Sequence, residues 1–559
     1  MVQRLLRIFN REWSGLHEAA FLLGLTALFS QVLGLVRDRL LAHHFGAGMA
    51  LDVYYAAFRI PDLLYASVAS FVAVTVLIPF LLERIEGKGI MSAREFINTI
   101  FTVFCLMMII IIIVMFFLMP FFATLIVPGF GGAKLAEFIG LSRLLLISPF
   151  LLGLSNLFGA LTQSLRRFFV FAAGPILYNI GIIIGILFFM PSLGLRGVAY
   201  GVLLGALMHV LIQVPVLLSE GILPRFVFSI HWPDIRRVVK LSIPRTIALS
   251  ATNFAAMILI ALASKMDTGS IAVFTFAMNL QSIPLAIVGM SYSVAAFPTL
   301  AKLWTGGNRE QFLEQIVSAT RHILFWSFPA IILFIVLRAQ IVRTILGSGA
   351  FDWTATRLTA AALALFALSV VAQNLVLLLT RALYAMGRTK LPLYANVIGG
   401  LLMVGASFFF LNLFQHSLVF RFLIETLLRV SDTPRTSILM LPLGYSIGML
   451  ANLWILLMLL RKEFPTLLFR VKKAFMHTFS ASIGMGFVAY HSLQVFALVF
   501  NQNTLLGIFA QGFFSGVIGI CAGVFLLYLM DNRELEEIRI ALHHKFWRQK
   551  PIVAEPEVF

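Results

Sequence analysis

Arg37 and Asp38 stand side by side in the apolar run Val32-Leu-Gly-Leu-Val-Arg-Asp-Arg-Leu40, and Asp52, Arg59 and Asp62 follow in the next such run. An ionisable side chain at the centre of a membrane helix costs about 2.5–3.5 kcal/mol on insertion scales, so it usually pairs or lines a polar cavity. Permanent guanidinium cations suit an anionic ligand, because the planar fork meets two phosphate oxygens at once. Arg37 and Arg59 are therefore candidate anion-binding residues. The competing expectation is neutralisation within the protein, with Arg59 and Asp62 three positions apart on one helix and Asp38 held in a structural pair. Gly34 is expected to bend the first helix and turn Arg37 and Asp38 inward. Asn253, Asn279 and Gln281 are polar points in later apolar runs, where hydrogen bonding between helices explains them. Arg143, Arg245, Arg338 and Arg381 are expected to snorkel to an interface.

Other chemistry is not supported. The sequence has no GxxxxGK[ST] loop, no HExxH and no GxSxG in a strand–turn–helix context, so neither a nucleotide-driven pump nor a hydrolase is expected. Cys105 and Cys521 lie apart in apolar runs, and the His43-His44 and His543-His544 pairs sit at a helix end and in a basic tail. No metal site follows from them.

The elements that must carry these residues are membrane helices. Of 559 residues, 60% are hydrophobic and 12% charged, against about 25% charged in a soluble domain; mean hydropathy is +0.97. Lys and Arg exceed Asp and Glu by a net +18. Cationic cytoplasmic loops explain that excess, and nucleic-acid binding is not expected.

A bilayer core about 30 Å thick needs roughly 20 apolar residues per helix. Cutting at Gly, Pro and charge clusters gives fourteen spans, near 19–46, 52–83, 95–127, 134–164, 168–190, 195–219, 235–264, 268–303, 310–346, 355–387, 390–412, 438–461, 472–498 and 504–530. No ten-residue alternation recurs, which excludes strands. The basic clusters at Arg4, Arg7 and Arg11, at Arg84, Lys88 and Arg94, at Arg236, Arg237 and Lys240, and at Lys472 and Lys473 fall on one side. The other side holds isolated cations such as Lys134 and Arg196. The positive-inside bias then places both termini in the cytoplasm.

Ile60-Pro61 followed by Ile78-Pro79 is echoed by Ile283-Pro284 and Phe297-Pro298. Pro175-Ile-Leu-Tyr-Asn179 is likewise echoed by Pro392-Leu-Tyr-Ala-Asn396, about 220 residues on. Six helices per copy make parallel repeats, the architecture of two bundles facing a central cavity. The expected organisation is a basic interfacial segment over 1–18, an N-lobe over 19–219 and a C-lobe over 235–461 with an insertion at 413–437. Two added helices over 472–530 and a basic tail over 531–559 complete it. The N-terminal segment lacks a small-residue cleavage site and is expected to be retained.

Gln31-Val-Leu-Gly-Leu-Val-Arg-Asp38, Phe45-Gly-Ala-Gly-Met-Ala-Leu-Asp52 and Ala57-Phe-Arg-Ile-Pro-Asp-Leu-Leu64 resemble the first two helices of the MurJ (MviN) lipid II flippases. So do Leu165-Arg-Arg-Phe-Phe169 and Arg381-Ala-Leu-Tyr-Ala-Met-Gly-Arg-Thr-Lys-Leu-Pro392. That family lies in the multidrug/oligosaccharidyl-lipid/polysaccharide exporter superfamily, whose bilobed core matches the repeat. The resemblance implies a flippase that moves lipid II, the undecaprenyl-pyrophosphate-linked peptidoglycan precursor, to the outer face of the bacterial inner membrane by alternating access. It implies a substrate site at Arg37, Asp38, Asp52 and Arg59, with Asp62, Asn279 and Arg381 as further cavity candidates and the last two spans as a groove for the lipid tail.

The pattern departs from the family where Gln31 and Tyr65-Ala66 replace basic residues, where Ser70-Phe71 replaces Glu-Gly, and where Asn279 replaces an arginine. No cofactor is implied; the energy is expected from the membrane potential or an ion gradient. Lipid II, membrane lipids and cell-wall synthesis proteins are the implied partners. A cation-coupled exporter of another amphipathic substrate, and a non-transporting membrane partner with the same fold, stay open as alternatives.

Overall fold

The computed structural model describes residues 16–69, 74–165 and 167–546. The basic cluster Arg4, Arg7 and Arg11, the departure at Ser70-Phe71, Arg166 and the tail beyond residue 546 lie outside the described residues. Among the described residues the chain is helical and has no strand.

In chain order the helices begin with α1 (Leu16–Phe45), α2 (Met49–Ala57), α3 (Arg59–Ala69), α4 (Val74–Ile126), α5 (Gly132–Leu145), α6 (Ile147–Ser164) and α7 (Phe168–Ile184). There follow α8 (Leu195–Leu211), α9 (Trp232–Ser264), α10 (Ser270–Pro284), α11 (Met290–Thr305), α12 (Arg309–Val336), α13 (Arg338–Leu346) and α14 (Trp353–Ala367). The last are α15 (Val370–Ala385), α16 (Lys390–His416), α17 (Leu418–Leu428), α18 (Met440–Glu463), α19 (Leu467–Val499), α20 (Leu505–Leu529) and α21 (Arg533–Phe546).

Among the described residues ten helices are long and apolar enough to cross a membrane, or eleven when α14 and α15, which meet at a 42° bend, count as one span. The sequence leads to fourteen. The other three expected spans coincide with α1, with α2 and α3 together, and with α9. Each is short or interrupted by charge: α2 and α3 have 9 and 11 residues, α1 carries Arg37, Asp38 and Arg39, and α9 opens with Asp234, Arg236, Arg237 and Lys240. The expected span 52–83 is divided at Phe58. Pro61 falls in the first turn of α3, where its missing N–H costs no helical hydrogen bond. The expected bend at Gly34 does not interrupt α1, which is helical throughout. The Cβ position of Gly34 lies 4.0 Å from Asn179 Oδ1, an ordinary contact distance, so packing at this point does not demand glycine. Helix α4 is two helical segments that meet at a kink at Gly89; the part after the kink, Met91–Ile126, has 36 residues, about 54 Å at 1.5 Å per residue, and extends beyond a bilayer core.

The chain divides into two compact units, each discontinuous in sequence. The first runs to Ile283 and adds Val342–Phe366 and Arg388–Asn452; the second comprises Pro284–Ile341, Ala367–Gly387 and the chain from Leu453 onward. In the first unit α7 packs along α8 and α1. The α7–α8 approach is set by small residues: a Cβ on Gly181 would come 2.2 Å from Gly205 Cα. A second core gathers Phe104, Met108, Leu157, Phe158 and Val210 from α4, α6 and α8. The opposite side of α4 leaves Ile110, Phe117 and Phe121 exposed at 60–72%, as a lipid-facing surface requires. In the second unit α19 packs on α20 and α12, and α21 docks beside Phe325, Leu526 and Leu527 through Leu535 and Ile538.

Candidate substrate-binding site

The first unit gathers a polar node between apolar helices. Arg37 on α1 donates from Nε (3.0 Å) and Nη2 (2.8 Å) to Asp38 Oδ1. Its Nη1 donates to Asn179 Oδ1 on α7 at 3.1 Å. Asp38 Oδ2 accepts from Asn279 Nδ2 on α10 at 2.9 Å. The Asn179 amide is oriented by its own nitrogen, which donates to Ser30 Oγ at 3.2 Å and to the Pro175 carbonyl at 3.1 Å. Three helices thus converge on one ion pair. Asp38 is buried, while the Arg37 side chain keeps 22% exposure. Tyr54 and Tyr55 of α2 lie within electrostatic reach of Arg37.

Arg59 and Asp62 occupy the first turn of α3. No ion pair joins them among the described residues: Asp62 is exposed, and the buried Arg59 Nε has no hydrogen-bond partner. The i, i+3 pair anticipated from sequence is therefore not closed by contact, and the two charges act on each other only at longer range. Arg59 is a cation held at the edge of the apolar interior without a carboxylate in contact.

Asp52 sits elsewhere. Its Oδ2 accepts from Gly269 N at 2.7 Å and from Lys134 Nζ at 3.4 Å, and its Oδ1 accepts from Ala272 N at 3.1 Å. The carboxylate therefore caps the N-terminus of α10, where free backbone N–H groups and the helix dipole favour an anion. Gly269 must be glycine for this contact, since its φ is +93° and a Cβ would lie 2.1 Å from the Ala47 carbonyl.

Arg381 belongs to the second unit, where Nη2 approaches Met290 Sδ at 3.5 Å. Gln31 is half-buried on α1, and Tyr65 OH accepts from Asn156 Nδ2 at 3.1 Å. The structure thus brings Arg37, Asp38 and Asn279 into direct contact, sets Arg59 and Asp62 on α3, and gives Asp52 a distinct set of partners.

Sequence reasoning missed Asn179 and Lys134 as partners of these charges. For Asn179 a signal existed, the repeated Pro-to-Asn segment. In the second copy Asn396 Oδ1 accepts from Asn452 Nδ2 at 2.9 Å, so both asparagines serve as acceptors for a packed helix. Lys134 carried no signal, because a lone cation beside an apolar run reads as a loop residue.

Comparison with known proteins places this architecture. Residues 41–419 match the family model described as lipid II flippase MurJ. The probable lipid II flippase MurJ of Buchnera aphidicola subsp. Acyrthosiphon pisum (strain APS) is 29% identical over 409 residues, covering 70% of this chain and 78% of that protein. The one from Rhizobium tropici is 29% identical over 386 residues, covering 67% and 72%. Among solved structures, a lipid II flippase MurJ in an inward closed conformation aligns with a TM-score of 0.71 at 21% identity, over 93% of this chain and all of that one. An inward-facing multidrug resistance MATE family transporter aligns with a TM-score of 0.64 at 15% identity, over 78% and 95%.

Proposed function

The chain belongs to the lipid II flippase MurJ family, and from that premise we propose that Arg59, with Arg37, grips the pyrophosphate of lipid II during its passage across the membrane. It is a multi-pass membrane transporter, not an enzyme, and its substrate is lipid II. The observation that carries the proposed site is the Arg59 guanidinium, whose buried Nε has no partner and which no ion pair neutralises among the described residues. Arg37 joins by exchanging Asp38 for a phosphate oxygen, and Asn279 then retains the displaced carboxylate. An arginine fork makes that exchange favourable because phosphate offers two acceptor oxygens to one guanidinium.

The lipid tail would lie in the second unit, along the segment 472–530. At the start of that segment an apolar cavity of ≈ 490 Å³ is lined by Leu324, Leu375, Leu379 and Leu457 of α12, α15 and α18 and by Phe469 and Phe475 of α19. Transport runs from the cytoplasmic to the outer face by alternating exposure of the site, both termini lying inside. The charged head group moves with the membrane potential or a coupled ion, one charge across 100 mV being worth about 2.3 kcal/mol.

Native mass spectrometry of the purified chain with lipid II, a polyprenyl monophosphate and phosphatidylglycerol tests this site. Selective lipid II binding that is lost in Arg59→Ala and weakened in Arg37→Ala is the expected result. Equal binding of all three lipids, or selective binding that survives both substitutions, would overturn the assignment.

A further inference from the structure

Helix α17 presents an apolar face that none of the other described residues covers. Leu418, Val419, Phe422, Leu423 and Leu427 are 81, 80, 68, 58 and 69% exposed. At 3.6 residues per turn they span about half the helix circumference. The other half is anchored. Ile424 and Leu428 are buried, and the buried Glu425 accepts from Thr436 Oγ1 at 2.6 Å and from Arg421 Nε at 3.0 Å. The exposed face is therefore held outward by a fixed polar and apolar underside.

Its position says what meets it. Helix α16 is one of the spanning helices and ends at His416. Only Ser417 separates it from α17: an extended residue turns the chain, and its hydroxyl caps the new helix by accepting from Phe420 N. Phe420 stacks on Phe410 of α16 with ring centroids 5.9 Å apart, so α17 folds back against the end of the span. Phe408 and Phe409, near that end of α16, are themselves 52 and 61% exposed, as lipid-facing residues are. The apolar face of α17 thus begins at the membrane boundary and continues a surface that already meets lipid. Arg421 stands at the rim with its guanidinium 5.7 Å from the Phe414 ring centroid, the disposition of a cation that snorkels to head groups while its stem covers apolar surface.

We propose that α17 is an interfacial helix whose apolar face inserts into the acyl–headgroup boundary of the leaflet at the α16 C-terminus. A helix with an exposed apolar face and an opposite side anchored to the protein lies in the plane of that boundary. It braces the end of α16 against the bilayer and, through the Glu425–Thr436 contact, the turn that leads into α18.

Nitroxide labels test this in the full-length protein reconstituted in phosphatidylethanolamine/phosphatidylglycerol nanodiscs. The exposed Cys521 is replaced by serine, while the buried Cys105 is left in place. Labels go at Phe422→Cys and Leu427→Cys on the apolar face and at Ser431→Cys in the exposed turn beyond it. Retained lipid II binding confirms that each labelled protein is folded. The expected result is that labels at 422 and 427 collide more often with oxygen than with a water-soluble nickel chelate, and that the ratio inverts at 431. Nickel-dominated collisions at all three sites would place the helix in water and overturn the proposal. Labels at 422 and 427 shielded from both reagents would overturn it too, by showing that a protein surface covers the face.

Discussion

Asn279 donates to Asp38 at 2.9 Å through the carboxylate oxygen that Arg37 leaves open, so both oxygens of one buried acid are engaged from α1 and α10. The position that lacks an arginine is thus a partner of the acid, not an empty place in a cation set. Removing the two groups has unequal effects. Asn279→Ala deletes one hydrogen bond to a charged group and is expected to lower stability by about 1–2 kcal/mol. Asp38→Ala leaves the Arg37 guanidinium without its counter-charge and is expected to cost about 3–5 kcal/mol. Thermal unfolding of the two variants in detergent checks the order; a larger loss in Asn279→Ala would show that the amide, not the acid, holds the node.

Asp52 provides a second contrast. As the cap of α10 it accepts two backbone N–H groups and pairs with Lys134. Asp52→Ala is expected to destabilise by about 1–3 kcal/mol, through loss of the cap and of a buried charge-assisted bond. The folded fraction of that variant should bind lipid II as the parent does. A lost affinity with unchanged stability would instead make Asp52 a ligand for the head group.

These two acids show what a sequence makes legible. Arg37, Asp38, Asp52, Arg59 and Asp62 stood out because ionisable groups are rare in apolar runs, and that rarity marked the polar points of the fold. The partner of each charge was not marked. Gly269 lies 217 residues from Asp52 and Asn279 lies 241 from Asp38, separations at which only tertiary packing decides the pairing. Local spacing favoured Arg59 with Asp62, yet that pair is not formed. The helical class followed from composition and hydropathy alone. The expected span 235–264 agrees with α9, Trp232–Ser264, whereas the break at Phe58 inside 52–83 was not legible, because an apolar residue at a helix break leaves hydropathy unchanged.

Acid titration offers a third test, away from the spans. In the turn after α17 the Asp432 carboxylate accepts from Arg357 Nη1 at 2.8 Å and Nη2 at 2.5 Å. These hydrogen bonds hold its pKa down to about 2, below the usual carboxylate value near 3.9. A depressed pKa adds stability that is fully present above the unfolded value and is lost as pH falls through about 2. Asp432→Asn should therefore unfold slightly earlier than the parent at pH 7, and the difference should shrink below about pH 4. The pair is exposed, so the effect is small. A difference that persists unchanged at pH 2.5 would assign it to something other than the charge.

The C-terminal helix gives the last test. Glu534, its side chain 2% exposed, pairs with Arg321 of α12, and Glu537 pairs with His322 at 3.1 Å. Asn532 Oδ1 caps α21 by accepting from Leu535 N at 2.9 Å, and Leu535 and Ile538 pack beside Phe325. The apolar seat is small, so the buried pair decides whether α21 stays docked. Glu534→Ala leaves Arg321 buried without a carboxylate, a loss of about 3–5 kcal/mol to the docked state. Glu534→Gln keeps an acceptor and removes the charge, and should fall between the variant and the parent. Because α21 follows the last span, its release need not unfold the helices before it. The expected signature is rapid proteolysis beyond Leu529 at an unchanged unfolding temperature of the remaining chain. If Glu534→Ala resists protease as the parent does, the apolar seat alone holds the helix and the ion pair contributes little.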